Sequence, residues 1–341
     1  MTLEEVKETI KTGTDYKEHI WNYGYTPILV TVSGSWAYGT NKPDSDIDAR
    51  GIFLDPVNSI LGLSNFEQHE IHDTNKELDI VVYGLRKFVK LALENNPNVI
   101  ELLSPQERNI VHASDIGKEL IENRHLFLSK RAAMTFGGYA KAQLDRIENA
   151  MARDRYDQEM VERHMLHSIL GMIESMNTRY KELPEGGLEL EIIDSDKPEL
   201  NKEIVVNCNL HHYPLRDFKG IWSDMQNVVK DYGKLDNRNR KKDDNHMNKH
   251  AMHLVRLLLT GIDILEKEEI LPYREDDLDL LNFIRNGGYM DEEGRFVDGF
   301  YDLVNMLYKR FEDAKSKTKL PAKPDYHAVE DWVVGVYKKY L

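Results

Sequence analysis

Two aspartates two positions apart, Asp46 and Asp48, stand a short distance downstream of a small-residue pair, Gly34-Ser35. On an extended chain the period of two points both carboxylates to the same face. Two like charges held so close repel each other. A hard divalent cation resolves that repulsion, because Mg²⁺ takes oxygen ligands and commonly binds one or two carboxylates together with substrate phosphates. The absent or small side chains of Gly34 and Ser35 let backbone N–H groups approach a phosphate oxygen, and a helix starting at about Ser35 would add its positive end. Each feature alone reads as an ordinary turn. In combination they specify metal-assisted phosphoryl transfer.

If two metal ions are to clamp the attacking and leaving oxygens, a third carboxylate is needed. Asp79 is the first candidate, since it opens the apolar run Asp79-Ile-Val-Val-Tyr, where a lone carboxylate is costly unless paired, solvated or metal-bound. Asp55, Asp73 and Glu77 compete for the role. Ser45 and Arg50 adjoin the paired aspartates and could order them, although Arg50 reads equally well as a surface residue or the partner of a structural acid. Positive side chains should hold a triphosphate. Lys87, Arg86, Lys141 and Arg256 are the candidates by position. His246, His250 and His253 recur at i, i+4 and i+7, as ligands on one helix face would, but without the Glu of a zinc-protease motif. His164 and His167 carry the same ambiguity, and Arg238 to Lys242 is a short basic run of the kind usually found in exposed loops.

The elements that must carry these residues can be read from periodicity. A helix over 2–22 precedes a strand at Ile28 to Val32 that delivers Gly34 and Ser35 to a turn; Ile47 to Leu54 and Leu78 to Tyr83 are further strands. A helical stripe of Leu85, Phe88, Val89, Ala92 and Leu93 follows, ending near Asn95-Asn96-Pro97. Beyond Ser104-Pro105 helices are expected over 115–123, 130–150, 156–181, 217–232, 246–268, 275–286, 298–315 and 328–340, with a hairpin at 188–207. The expected class is α+β: a small mixed-sheet catalytic domain with flanking helices over 1–105, then a mainly helical domain over 106–341 that closes the cleft and selects the acceptor.

Gly34-Ser35 followed by Asp46-x-Asp48 resembles the signature of the DNA polymerase β nucleotidyltransferase superfamily. The longer wording Gly34-Ser-Trp-Ala-Tyr-Gly-Thr-Asn41, Asp44-Ser-Asp-Ile-Asp-Ala-Arg-Gly51, Leu85-Arg-Lys-Phe88 and Asn96-Pro-Asn-Val-Ile-Glu101 is similar to a predicted family of bacterial and phage nucleotidyltransferases. Gly138-Tyr-Ala-Lys-Ala-Gln143 and Lys249-His-Ala-Met-His-Leu-Val-Arg256 are similar to its C-terminal motifs. The resemblance implies transfer of a nucleoside monophosphate from an NTP, with Asp46, Asp48 and Asp79 as metal carboxylates and Gly34 and Ser35 as the phosphate-contacting turn. It implies Mg²⁺, with Mn²⁺ as a substitute, and two ions in the active complex. The acceptor is left open among RNA or tRNA ends, proteins and small molecules, with an RNA end favoured. A nucleotide-binding regulator that lost turnover, and a zinc-dependent hydrolase using the histidines, are the rival classes.

Composition bounds the rest. The 341 residues carry 41% hydrophobic and 30% charged residues, enough apolar material for a sizeable core. The formal net charge of −14 argues against non-specific coating of long nucleic acid, which rests on neutralised phosphates. A single cysteine, Cys208, excludes an intramolecular disulfide, and no basic-then-apolar leader or membrane-spanning run is present, so a cytoplasmic protein is expected.

Overall fold

The computed structural model describes residues 1–340 except 44, 74–77, 154–157, 182, 185–186, 197–201 and 240–243, together with the backbone alone of 73, 149–153, 158–159, 161, 164, 168, 234–239 and 244–245. In chain order the main elements are α1 (Leu3–Thr12), β1 (Thr26–Val32), α2 (Gly34–Tyr38), β2 (Ile47–Leu54), β3 (Gln68–Asp73), β4 (Leu78–Gly84) and α3 (Leu85–Leu93). There follow β5 (Ile110–Ala113), α4 (Asp115–Glu122), α5 (Arg131–Arg153), α6 (Gln158–Arg179), β6 (Leu188–Asp194), β7 (Lys202–Cys208), α7 (Leu215–Asn239) and α8 (Asp244–Lys267). The chain ends in α9 (Leu278–Arg285), α10 (Asp298–Lys317) and α11 (Tyr326–Tyr340). Of the residues weighed above, Asp44, Glu77 and Arg240 to Lys242 fall outside the described ones, as do the side chains of Asp73, His164, Arg238 and Asn239.

The class is α+β, with a five-stranded mixed sheet ordered β3-β4-β2-β1-β5 and a separate β6-β7 hairpin. Only the β2–β4 pair is parallel; β1–β2, β1–β5 and β3–β4 are antiparallel. Period-two alternation divides this sheet cleanly. Val30, Val32, Ala49, Phe53, Leu78, Ile80 and Val82 turn to one face and pack with Val6 and Ile10 of α1. Their neighbours Asp48, Arg50, Asp79, Val81 and Tyr83 therefore turn to the other. Thr2 caps α1 in a reciprocal box with Glu5, and α1 stops at Gly13, where the helical spacing over 2–22 breaks; a π-turn over Lys17–Trp21 follows.

The chain divides into two units, one of 1–144 with 244–341 and one of 145–243. The first differs from the expected 1–105 catalytic domain because β5 adds to β1 beyond Ser104-Pro105 and α8 to α11 return to the same unit. Two of its strands, β3 and β5, have no counterpart in the periodicity reading: β3 is polar on one face (Gln68, Glu70, His72) and β5 spans only Ile110–Ala113. The second unit has its own core, in which Ile169, Ile173 and Met176 of α6 pack with Leu188 of the hairpin and Ile221 and Val228 of α7. Among the described residues no helix is long and apolar enough to cross a membrane.

Candidate active site

Parallel pairing of β2 with β4 sets Asp48 directly beside Asp79 in register. Both carboxylates project from the sheet face opposite α1, into a cavity of about 720 Å³ within the first unit. Ser33, Gly34, Ser35, Ser45, Asp46, Asp48, Arg50 and Asp79 all line it. Asp46 sits just ahead of β2 rather than on it and is exposed. Ser45 shapes the entry to the strand: its Oγ accepts from the Lys42 backbone N–H at 2.7 Å, and its own N–H donates to the Lys42 carbonyl at 3.0 Å.

Gly34 is required twice over. Its φ of +59° lies in the left-handed region, where a side chain costs ~1–2 kcal/mol. A Cβ there would stand 1.7 Å from Asp48 Oδ2, so the absent side chain is the space the carboxylate occupies. The Ser33 N–H donates to the Asp48 carbonyl at 2.8 Å, which ties the turn to β2 beside the acid.

Arg50 settles on Asp79 as a fork, with Nη1 2.9 Å from Oδ1 and Nη2 3.2 Å from Oδ2. His72 Nδ1 approaches the same Oδ1 at 3.1 Å, and His72 Nε2 lies 2.5 Å from Glu70 Oε1. Burial acts to raise the Asp79 pKa, but the hydrogen bonds and charge of Arg50 outweigh it and hold the group below its ordinary value. Asp48 moves the other way: burial, then its hydrogen bond with Asp79, push it up to about 7. The neighbouring acid thus disfavours ionising both carboxylates at once.

Those observations bear on metal binding. Among the described residues no three His, Cys, Asp or Glu side chains converge as a complete cage. Asp48 and Asp79 converge as a pair, with Asp46 on the same cavity wall. Two hard oxygen donors in contact fit a cation whose remaining ligands come from substrate phosphate and water, which is the habit of Mg²⁺. Among the described residues the histidines of α8 form no metal-holding group: His246 and His253 line the cavity, and His250 Nδ1 lies 2.8 Å from Gln143 Oε1.

Strand polarity separates the rival acids and bases. Asp55 lies past the end of β2, roughly 20 Å along the strand direction from Asp48 at ~3.3 Å per residue. It is buried there and accepts from the Arg86 N–H at 3.0 Å and from the Tyr337 hydroxyl. Lys87 starts α3 at that same far end, outside the cavity wall, with its Nζ 2.9 Å from Glu67 Oε2. Lys141 is exposed on α5; Tyr139 and Gln143 of the same helix line the cavity, and a residue between them points elsewhere.

Of the basic candidates Arg256 does line the cavity, together with Tyr38 and Glu101, which had no prior assignment. Tyr38, at the end of α2, donates to Glu101 Oε2 at 2.7 Å, and Arg256 of α8 pairs with the other Glu101 oxygen while stacking 3.8 Å over the Tyr38 ring. This buried cluster ties the Gly34-Ser35 turn to α8. The segment from Lys249 to Arg256 stood out in the sequence as a motif; the wall that Lys249, His253 and Arg256 share with Asp48 did not.

Comparisons with known proteins bear on the chain's family. An uncharacterized 38.9 kDa protein from the nrdC–mobD intergenic region of enterobacteria phage T4 is 29% identical over 126 residues, 34% of this chain and 37% of that protein. The chain therefore matches well under half the length of this relative. A nucleotidyltransferase-like protein from Exiguobacterium sibiricum aligns with 91% of this chain and 74% of its own, at 9% identity and a TM-score of 0.27, too loose a superposition to argue from. A family model described as RNA repair pathway DNA polymerase beta family matches residues 10–182, half of the chain, and spans the turn, all three aspartates and Arg50. By that match the chain belongs to the RNA repair pathway DNA polymerase beta family, of the nucleotidyltransferase-like, polymerase β type.

Proposed function

We propose that the protein transfers a nucleoside monophosphate from an NTP to a hydroxyl at an RNA end, releasing pyrophosphate, with Mg²⁺ or Mn²⁺ as cofactor. The observation that carries this reading is the contact of Asp48 with Asp79 against the Gly34 turn. The RNA acceptor rests on the family's description as an RNA repair pathway group. The expected cofactor is two divalent ions held by Asp46, Asp48, Asp79 and the substrate. When bound, they neutralise charge on the triphosphate and lower the pKa of the attacking hydroxyl.

The chain's own residues divide the remaining work. Gly34 and Ser35 let the triphosphate approach the backbone next to Asp48. Arg50 fixes the rotamer of Asp79 and keeps it ionised, so that one carboxylate oxygen can accept a hydrogen bond from the acceptor hydroxyl. In the transfer itself an acceptor O–P bond forms at the α-phosphorus, the α–β bridging P–O bond breaks, pyrophosphate leaves with the bond electrons, and the acceptor proton passes to carboxylate and solvent.

The experiment is incubation of α-labelled NTPs, Mg²⁺ and a pool of RNA, protein and metabolites with the native protein and Asp46→Ala. Label in RNA that is lost in the variant, by at least ~10²-fold, supports the reading. Label confined to protein or a metabolite removes the RNA acceptor. NTP binding with no label transferred to any acceptor identifies a nucleotide-binding regulator instead.

A further inference from the structure

The second unit carries a helix face that its own core does not use. Ile221 and Val228 of α7 are buried against α6 and the hairpin, with Met225 and Tyr232 half-buried beside them. A different stripe of the same helix turns outward. Leu215, Phe218, Trp222 and Val229 recur at i, i+3, i+7 and i+14, so they share one face. Leu215, Trp222 and Val229 are exposed, Trp222 at 57%, and Phe218 is half-buried with its ring centroid 6.2 Å from that of Trp222. An indole left in water forfeits one of the largest apolar areas a side chain can bury. Exposed apolar surface of this kind marks a place where a partner is met.

Charge is sorted around that stripe. Arg216, Lys219 and Lys230 border it on one side by helical angle; all three are exposed, and none makes an ion pair among the described residues. The acids of the same stretch, Asp217, Asp224 and Asp231, recur every seven residues and so take another face. There Asp224 accepts from Arg179 Nη1 at 2.7 Å and from the Tyr180 hydroxyl at 2.8 Å. The cations beside the stripe are therefore left unanswered in a chain of net charge −14. An apolar protein partner does not call for that arrangement. Aromatic rings flanked by unpaired cations match a single-stranded nucleic acid, whose bases stack on the rings while its phosphates meet the charges.

We propose that Phe218 and Trp222, with Arg216, Lys219 and Lys230, form a docking surface on α7 for the single-stranded body of an RNA. None of these residues lines the catalytic cavity. The inference goes beyond the transfer reading, because it concerns nucleotides of the strand away from any reacting hydroxyl; only the choice of RNA over DNA rests on that reading. Stacking is tolerant of sequence, since every base offers a flat face, so the surface grips a strand without choosing its bases. In a duplex those faces are already stacked on one another and are closed to Trp222. A short stripe of three cations also agrees with the acidic balance of the chain, which opposes coating of long nucleic acid but not local contact with a few phosphates.

Fluorescence anisotropy on the full chain tests it, with end-labelled oligo-A RNA, oligo-A DNA and an RNA duplex, each of about twelve nucleotides per strand, as probes. Trp222→Ala is expected to weaken binding of the single-stranded RNA by about tenfold or more, and Trp222→Phe, which keeps a flat ring, to restore most of the affinity. Circular dichroism should be the same for both variants, since the ring lies outside the core. Arg216→Gln, Lys219→Gln and Lys230→Gln together are expected to flatten the slope of log K against log salt by about 2, at ~0.7 per phosphate contact. Unchanged RNA affinity in Trp222→Ala, a duplex held as tightly as the single strand, tighter binding of the DNA strand, or self-association through the stripe with no RNA bound would each overturn the surface. Failure of the transfer reading looks different: RNA binding that depends on Trp222, but no label transferred to any acceptor.

Discussion

At the residue scale the site depends on what Gly34 lacks. Its missing side chain is the volume that Asp48 fills, at a left-handed backbone angle that side chains disfavour. Gly34→Ala is expected to destabilise the fold by at least ~1–2 kcal/mol and to abolish nucleotide transfer, read by thermal melting and by the labelling assay. Arg50 is the second such residue. Arg50→Lys keeps the charge but cannot fork onto both oxygens of Asp79. It is expected to lower kcat by about 10–100-fold with a smaller change in KM for NTP, as loss of a ligand-orienting contact does. A steady-state comparison with equal kcat would show that Asp79 is oriented by other means. Asp46, Asp48 and Gly34-Ser35 were legible from type and spacing. Arg50 was adjacent and equivocal, because which of two neighbouring strands it reaches across to depends on pairing.

At the element scale, the parallel pairing of β2 and β4 does the selecting. It sets Asp79, the first candidate of the sequence, beside Asp48 and leaves its competitor Asp55 at the far end. Asp55 turns out to be a tie between elements: it accepts from the first turn of α3 and from Tyr337 of the C-terminal helix, whose phenol is pushed up by burial and by that acid. Tyr337→Phe leaves a buried carboxylate short of one donor, which costs ~1–3 kcal/mol. A lower melting temperature with unchanged kcat is the expected outcome; a fall in kcat would mean that α11 reaches the chemistry. Helices α3 to α11 and the hairpin were readable from their apolar periodicity. Strand β3 was not, since its cavity face is Gln68, Glu70 and His72, and a strand whose outward residues serve a site loses the signal by which strands are found.

At the scale of the whole molecule, the cavity is assembled from segments far apart in sequence, all within the first unit. Residues 33–50, 68–83, 98–102, 139–143, 246–257 and 285 each contribute, and 145–243 contributes none among the described residues. Gln143 and His250 are in contact, so the chain leaves and re-enters this unit at nearby points. Residues 1–144 and 244–341 joined by a flexible linker of about ten residues are therefore expected to melt cooperatively and to bind NTP as the full chain does. Calorimetry checks both, and a chain that fails to fold would show that 145–243 is needed for the first unit's stability. Should 145–243 select the acceptor, its excision is expected to change which acceptors the labelling assay detects.

What the sequence determined by itself is the local chemistry: a glycine-serine turn, two carboxylates in alternation, and the apolar periods that make most of the helices. These are properties of neighbours along the chain. Tertiary structure alone decided that Asp79 rather than Asp55 joins Asp48, that Lys87 and Lys141 stand away from the cavity, and that Lys249 and Arg256 face it. Such choices follow from strand order and direction and from the return of α8 to the first unit. They are settled by burial of the apolar faces, which carries each polar neighbour to the opposite side wherever the core requires.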